Sequence, residues 1–454
     1  MLIKKISNVL TLALLLSSFI FAQTAPPRDF SKETARVSPD WVKDAVIYEI
    51  FPRNYSQKGD FNSITADLDR LQNLGVTVLW LMPIHPIGQV KKKGAVGSPY
   101  AVQDFYAINS DYGTKDDLKR LVSESHKRGL KVIIDIVANH TSWDSVMMKM
   151  KGFHTTNAKG EIIPPVADWA DVADLNYDNA ELRKYMLEML KMWVRDYDLD
   201  GFRCDVAGFV PTDFWELARA EVDKIKPDTI WLAEWESPDL LVKAFNLDYS
   251  WANHGTLTNV LQGNIPASEI RKTWETDRAK NPKGALRMRF SDNHDERRAI
   301  ARFGEKGALA AQTLAFTLDG IPMFYNGMEA GDVTESGAPA LFEKLPIFWG
   351  FAERRPEFPK FYKSMIDLRK NSIALRRGDL TWLKNSDEAK VLTFKRASGN
   401  EEIVVAINMT NAPFFGSVEA SGNYEEITPN VEKKSNGLPT ISLDGFGFRI
   451  FRKK

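Results

Sequence analysis

The chain contains little cysteine and no excess charge of either sign. Cys204 is the single cysteine among 454 residues, which excludes a fold stabilised by intramolecular disulfides. Lysine and arginine together number 60, as do aspartate and glutamate, so the formal net charge is zero. A neutral chain has no general electrostatic attraction for nucleic acid or for an anionic membrane surface. We therefore expect neither as a partner, and no pattern indicates an oligomeric state.

The N-terminus carries an apolar run that is short for a membrane span. It follows Lys4 and Lys5 and ends near Ala22. This layout predicts a secretory signal peptide over residues 1–22, cleaved after Ala22. We therefore expect export to the periplasm or the outside of the cell, with no integral membrane segment after processing. A polar linker over residues 23–40 follows.

Beyond the linker, strand-like and helix-like patterns alternate eight times. The predicted strands cover residues 46–50, 76–81, 131–137, 201–206, 230–235, 247–250, 285–290 and 321–325. Eight such units over residues 41–379 have about the length that a (β/α)8 barrel needs. The fold class is therefore α/β, with a TIM barrel as its main domain.

Three connections of the predicted barrel are too long to be simple turns. They cover residues 88–112, 138–179 and 326–359, and each follows a strand. All three therefore belong to the C-terminal face, where barrel active sites are built. The second is long enough to form a small subdomain. After residue 379, short alternating apolar segments without a helix pattern predict an antiparallel β domain over residues 380–454.

Three acids follow predicted strands: Asp205, Glu234 and Asp295. Because a barrel brings the ends of its strands together, all three can face one cavity. Two carboxylates about 5 Å apart suit retaining glycoside hydrolysis, in which one attacks the sugar and the other protonates the leaving oxygen.

The sequence neighbours of two acids suggest how these roles divide. Arg203 lies two positions before Asp205 and would keep that carboxylate ionised. Glu234 lies near Trp231 and Trp235 and has no basic neighbour in sequence, so an apolar setting would raise its pKa and favour a proton donor. Either tryptophan could instead point into the core.

Two histidines also follow predicted strands. His140 and His294 could donate hydrogen bonds to sugar hydroxyls, although a lone histidine is more often a structural residue. His126 and His254 lack this context, and we interpret them as structural.

Several segments together resemble the signature regions of the α-amylase family of glycoside hydrolases (family 13). The four main ones, in order, are Asp135–His140 (DIVANH), Gly201–Asp205 (GFRCD), Ala233–Trp235 around Glu234, and Asn293–Asp295 (NHD). Asp174–Asn176 (DLN) and Gly320–Gly327 (GIPMFYNG) also fit. The resemblance covers essentially the whole chain after residue 22.

The resemblance implies a (β/α)8 barrel with a small B subdomain, about residues 141–175, inserted after strand 3, and a C-terminal antiparallel β-sandwich. It implies Asp205 as nucleophile, Glu234 as acid/base and Asp295 as stabiliser of the transition state. The substrate contacts that it implies come from four further side chains: Tyr100, His140, Arg203 and His294.

The resemblance also bears on cofactors and substrate. Family members often bind a structural Ca²⁺ through residues matching Asn139 and Asp174, whose oxygens suit that ion. No organic cofactor is expected. The implied substrate is an α-glucan or a malto-oligosaccharide, cleaved mainly at α-1,4 bonds.

Two departures from the family pattern leave alternatives open. Gly208 and Phe209 stand where many α-amylases have Lys and His, which allows a relative that acts on α-1,6 bonds or favours transglycosylation. Ala101 follows the stacking tyrosine where exo-acting α-glucosidases have aspartate, which favours endo-type or mixed action.

The charged segment Lys91–Ala95 is either a solvated loop, the simpler interpretation, or a flap over the cleft. A non-catalytic sugar-binding protein would not need all three acids.

Overall fold

The computed structural model of the chain describes residues 28–334, 337–431, 434 and 437–454. The predicted signal peptide, residues 1–22, lies outside them. The strands, in chain order, are β1 Ile47–Ile50, β2 Val78–Leu81, β3 Lys131–Ile136, β4 His140–Ser142, β5 Val172–Asp174, β6 Gly201–Cys204, β7 Ile230–Ala233, β8 Leu247–Asp248, β9 Leu286–Arg289, β10 Ile321–Tyr325, β11 Asp379–Trp382, β12 Val391–Ser398, β13 Glu401–Asn408, β14 Phe414–Ser417, β15 Tyr424–Glu426, β16 Thr440–Leu443 and β17 Phe448–Lys453.

The helices are α1 Asp40–Lys43, α2 Pro52–Tyr55, α3 Phe61–Ala66, α4 Leu68–Leu74, α5 Lys115–Lys127, α6 Ala180–Tyr197, α7 Thr212–Asp223, α8 Leu240–Lys243, α9 Trp251–Leu261, α10 Ser268–Lys280, α11 Ala299–Thr317, α12 Ala338–Phe342, α13 Phe351–Arg354, α14 Glu357–Lys370 and α15 Ile373–Arg377. Helix α5 begins with a capping box, in which Thr114 and Asp117 each accept the other's backbone N–H. Within the described residues, no helix has both the length and the apolar content of a membrane span.

Eight parallel strands close into a barrel in the order β1, β2, β3, β6, β7, β8, β9, β10. Closure is complete because Ile47 of β1 is in register with both Val78 of β2 and Met323 of β10. Since side chains alternate along a strand, one set fills the interior with residues such as Ile47, Val78, Trp80, Ile133, Leu232 and Met288. The predicted TIM barrel is confirmed.

The long segment after β3 contains a small sheet of its own. Strands β4 and β5 pair antiparallel, with His140 opposite Asp174. This sheet lies at the C-terminal ends of the barrel strands, because β4 begins four residues after β3 ends.

The C-terminal residues form two antiparallel sheets. One has the order β11-β12-β13-β17-β15, and the other pairs β14 with β16. Their facing side chains, among them Val404, Phe414, Ile441 and Phe451, form one apolar cluster. The predicted β-sandwich is confirmed.

The barrel and the C-terminal sandwich share one apolar core. The largest cluster of buried side chains contains both outer barrel residues such as Phe316 and sandwich residues such as Phe394 and Val405. Arg396 of β12 is buried at this junction and donates hydrogen bonds to the carbonyl oxygens of Thr317, at 2.8 Å, and Gly378, at 2.9 Å.

Candidate active site

A cavity of about 320 Å³ opens at the C-terminal ends of the barrel strands. Its size is at the lower end of the usual range for small-molecule sites, roughly 300–1,000 Å³. It is lined by Lys93, Ser98, Tyr100, His140, Trp169, Asp171, Val172, Asp205, Val206, Glu234, His294, Asp295, Leu341 and Phe342. All three acids chosen from the sequence therefore face it, together with Tyr100, His140 and His294.

Two of these acids stand one residue beyond the ends of neighbouring strands. The backbone N–H of Asp205 donates to Ile136, and that of Glu234 donates to Cys204, so both continue the parallel ladder. Val206 then turns the chain with a φ of 35°. A β-branched residue rarely adopts this left-handed conformation, and such strain clusters at functional sites.

Arg203 is fully buried beneath the cavity and contacts three carboxylates. Its Nη1 lies 2.8 Å from Oδ1 of Asp135 and 3.0 Å from Oδ1 of Asp205. Its Nη2 lies 2.8 Å from Oε2 of Glu234, as an ion pair without hydrogen-bond alignment. One guanidinium therefore holds Asp205 and Glu234 close together.

Glu234 has no basic neighbour in sequence, but the fold gives it one. Arg203 reaches Glu234 from the adjacent strand β6, and the N–H of Val206 donates to the same oxygen at 2.9 Å. Of the two tryptophans, Trp231 is buried against Phe202, outside the barrel. Only Trp235 remains beside the cavity, where its ring packs against Phe209.

Burial raises the pKa of both carboxyl groups. For Asp205, desolvation and the nearby carboxylate of Glu234 raise the pKa well above its usual value, against the opposing effect of Arg203. For Glu234, desolvation raises the pKa while Arg203 acts in the opposite direction. Two acids that share one cation titrate as a pair, so removal of a proton from one makes removal from the other harder.

His294 contacts two acids and a tyrosine. Its Nδ1 contacts Glu49 of β1, and its Nε2 lies 2.7 Å from the hydroxyl of Tyr100 and 3.3 Å from Oδ2 of Asp295. Burial lowers the pKa of the imidazole, but Asp295 and Glu49 outweigh that effect and raise the pKa to about 9. The Tyr100 hydroxyl donates to Asp135 at 3.0 Å, and its ring stacks on His294 with 5.4 Å between centroids.

His140, unlike His294, is neutral. Burial lowers its pKa to about 4, although Asp171 acts in the other direction. A neutral imidazole therefore lines the cavity beside the indole of Trp169, whose centroid is 5.7 Å away.

The two residues suggested for calcium, Asn139 and Asp174, are not among the residues that line the cavity. Asn139 is buried and its amide is placed 3.3 Å from Nδ1 of His140, while burial raises the pKa of Asp174. Ca²⁺ takes six to eight oxygen ligands, and the described part of the chain has no group of three or more His, Cys, Asp or Glu side chains that could hold a metal. One carboxylate and one amide do not fill such a shell. Calcium binding stays a prediction.

Sequence reasoning did not single out Glu49, Trp169 or Asp171, and it considered Lys93 only as part of the segment Lys91–Ala95. A signal for Glu49 existed, because a carboxylate within the buried strand Ile47–Ile50 needs a partner. The other three lie in long loops, where no periodic pattern shows which way a side chain points.

The fold and the site define a (β/α)8-barrel protein with a carboxylate-rich pocket above the ends of its strands. The family described as alpha amylase, catalytic domain, matches residues 27–159 and 166–338. The crystal structure of an alpha-amylase from Lactobacillus plantarum superposes with a TM-score of 0.80 at 30% identity, covering 91% of this chain and 99% of that one.

Two curated relatives agree with this match. Alpha-amylase MalA of Haloarcula japonica is 28% identical over 428 residues, and the alignment covers 90% of this chain but only 62% of that protein's length. An intracellular maltogenic amylase of Bacillus subtilis is 27% identical over 423 residues, covering 82% of this chain and 70% of that one. The chain belongs to the alpha-amylase family, glycoside hydrolase family 13, and is a glycoside hydrolase.

The expected export is a prediction that the comparisons contradict. The Bacillus subtilis relative carries the word intracellular in its name, so this catalytic scaffold is not tied to an exported protein. The prediction was wrong because it used composition alone: a short apolar run behind two lysines does not by itself determine the compartment.

Proposed function

We propose that the protein hydrolyses α-glucosidic bonds, mainly α-1,4, in α-glucans or malto-oligosaccharides with retention of configuration. The observation that carries the proposal is the contact of one buried guanidinium, Arg203, with both Asp205 and Glu234 at the floor of one cavity. Retaining enzymes need their two carboxyl groups about 5–5.5 Å apart, whereas inverting enzymes separate them by about 6.5–9.5 Å to admit a water. A cation in contact with both favours the shorter spacing. The names of the alpha-amylase and maltogenic amylase relatives support the substrate class.

The proposed reaction has two displacements. A carboxylate oxygen of Asp205 attacks the anomeric carbon while Glu234 gives its proton to the departing glycosidic oxygen, which leaves a glycosyl ester on Asp205. Glu234, now ionised, takes a proton from water, and the resulting hydroxide attacks the same carbon and releases Asp205. Two inversions restore the original configuration. The cycle requires a single proton that moves on and off Glu234 while Asp205 reacts as the carboxylate.

The remaining residues have proposed roles in holding the sugar. Asp295, whose side chain is 37% exposed toward the cavity, would stabilise the positive charge that develops on the ring. The protonated His294 and the neutral His140 would donate hydrogen bonds to hydroxyls. Tyr100 would stack on the sugar, since an aromatic face suits the apolar face of a pyranose.

One observation supports transglycosylation as a second candidate. Beside the acid/base Glu234, Trp235 begins an aromatic chain that runs through Phe209 to Trp169, with centroids 5.1 Å and 6.1 Å apart. Aromatic faces hold a sugar acceptor better than they hold water, so some glycosyl ester would pass to a second sugar.

Product stereochemistry tests the proposal. Hydrolysis of maltotriose followed by proton NMR within the first minutes should show the α-anomer as the first product. Appearance of the β-anomer first would overturn the retaining mechanism, and failure to cleave any α-glucan would overturn the substrate class. Chains longer than the substrate would reveal transfer.

A further inference from the structure

The loop of residues 90–96, between β2 and α5, is fixed on both sides of the cavity. On one side, Nζ of Lys93 lies 2.8 Å from Oδ1 of Asp171 and donates to the carbonyl of Asp168 at 3.0 Å. Asp171 and Asp168 belong to the segment that precedes β5. The 90–96 loop therefore spans the space above the barrel and reaches the small β4–β5 sheet.

The other side of the 90–96 loop is fixed to the segment that follows β10. The N–H of Ala95 donates to Oε1 of Glu343, and the N–H of Val96 donates to the carbonyl of Phe342, each at 3.0 Å. Gly94 has a φ of 67°, and a Cβ there would lie 2.5 Å from Cβ of Phe342. Only glycine permits this close approach. The loop is solvated as expected, since Lys91, Lys92, Gly94 and Ala95 are exposed, but these contacts fix its position.

A third contact joins the two loops from below. The buried Arg53 donates from Nη1 to the carbonyl of Leu341 at 2.9 Å and from Nη2 to the carbonyl of Gly97 at 3.0 Å. Lys93, Leu341 and Phe342 also line the cavity that contains the acids. The fixed loop is therefore a wall of the candidate active site.

Strand order places this wall relative to the acid/base. In the closed barrel, β1 lies diametrically opposite β7, and β2 and β10 flank β1. Glu234 follows β7, while the 90–96 loop follows β2 and Phe342 follows β10. The acid/base protonates the leaving group, so the leaving group lies on the Glu234 side of the cavity. The wall lies on the opposite side, the donor end, which holds the sugar that becomes bonded to Asp205.

We propose that the 90–96 loop, held by the Lys93–Asp171 ion pair, closes the donor end of the cavity, so that the enzyme cleaves at chain ends and in short malto-oligosaccharides. A chain that continued beyond the wall would have to displace Lys93 from Asp171. This inference rests on the proposed α-glucan hydrolysis and replaces the expectation of endo-type action drawn from Ala101.

The test compares p-nitrophenyl maltoheptaoside with the same compound blocked by an ethylidene group at its non-reducing end, with products separated by chromatography. The wild-type protein should cleave the blocked compound far more slowly. Lys93→Met, which keeps an apolar side chain of similar length, and Asp171→Asn should each raise the ratio of blocked to unblocked kcat/KM by about two- to fivefold, as expected for losing an ion pair whose lysine is 39% exposed.

Lys92→Ala is the matched control, because the Lys92 ammonium donates to the carbonyl of Ala95 within its own loop. Its ratio should stay close to that of the wild type. Equal cleavage of both compounds by the wild type, or an unchanged ratio in both Lys93→Met and Asp171→Asn, would overturn the closed end while leaving the hydrolase proposal intact. Cleavage of neither compound would instead count against the hydrolase proposal itself.

Discussion

Glu49 of the first barrel strand and His294, which follows the seventh, form a buried hydrogen bond between a carboxylate and an imidazole. Neither side chain is exposed by more than 2%. The pair joins two segments that are distant in sequence, and it orients the imidazole edge that contacts Tyr100 and Asp295. A charged hydrogen bond in such a setting is strong, and it fixes which nitrogen faces the pocket.

This pair gives the folded chain a pH-dependent stability. His294 has a pKa of about 9 when folded, whereas an unfolded histidine titrates near roughly 6.5. A raised pKa stabilises the fold fully below about pH 6.5, and the contribution is lost as the pH rises through about 9. Glu49→Gln should therefore reduce the fall in free energy of unfolding over this interval by on the order of 1 kcal/mol.

Urea unfolding at a series of pH values measures this quantity. Glu329→Gln is the control, because Glu329 is a buried acid that pairs with Arg70 and Tyr48 rather than with a histidine. If Glu49→Gln and the wild type lose the same free energy between pH 6.5 and 9, the link between Glu49 and the charge of His294 is wrong.

Asp205→Asn should abolish most turnover while leaving the fold intact. The amide keeps the shape of the side chain and can still meet Arg203, but it cannot form the glycosyl ester. We expect kcat on maltotriose to fall by at least about 10³-fold, as when a nucleophile is removed from other covalent enzymes. Circular dichroism checks the fold, and substantial residual hydrolysis would exclude Asp205 as the nucleophile.

Glu234→Gln should affect substrates unequally. A leaving group that departs without a proton does not need the acid, so an activated aryl α-glucoside should lose much less activity than maltotriose. General acid catalysis contributes about 10²–10⁴-fold, and the ratio of the two losses should lie in that range. Equal losses on both substrates would contradict the assignment, and azide, which needs no general base, should rescue the aryl substrate.

Gly208→Ala should disturb the leaving-group side of the cavity. A Cβ at residue 208 would lie 2.1 Å from the ring of Trp235, so the indole must move. We expect a loss of about 1–3 kcal/mol in the free energy of unfolding, as for other overpacked sites, and a lower ratio of transfer to hydrolysis. Gly255→Ala, in α9 with nothing within 4 Å of the new methyl, should instead be neutral or stabilising. A Gly208→Ala variant with wild-type stability and products would show that Trp235 does not shape this side.

The positions of the three acids were predictable because barrel geometry is general. Each acid follows a short apolar strand, and parallel strands of a barrel deliver their C-terminal ends to one face. Which side chain neutralises which acid was not predictable in the same way. Arg203 reaches Glu234 through the register of β6 against β7, in which Arg203 stands beside Leu232, and no sequence spacing encodes that register.

Local sequence patterns also failed to predict elements whose ends or positions depend on contacts with distant residues. Residues 64–74 have the apolar spacing of one helix, yet the structure has two helices that meet at Asp67, whose carboxylate contacts Tyr55 and Arg70. The sixth barrel strand is reduced to Leu247–Asp248. The helix after it, α9, carried no clear amphipathic pattern because its exposed face consists of Ala252, Gly255 and Asn259, which are small or only weakly polar. The 90–96 loop is held by Asp171 and Glu343, which are distant in sequence, so its lysines and glycine did not indicate that it is fixed.

The apolar core shared by the barrel and the sandwich determines how the chain unfolds. Topology divides the molecule near Gly378, but Phe394 and Val405 pack in the same cluster as Phe316, and Arg396 binds a carbonyl on the barrel side. Separating the two parts would open apolar surface and leave a buried guanidinium without acceptors. Melting should therefore be a single transition, and the last 75 residues act as part of the catalytic domain's own cooperative unit rather than as an appendage.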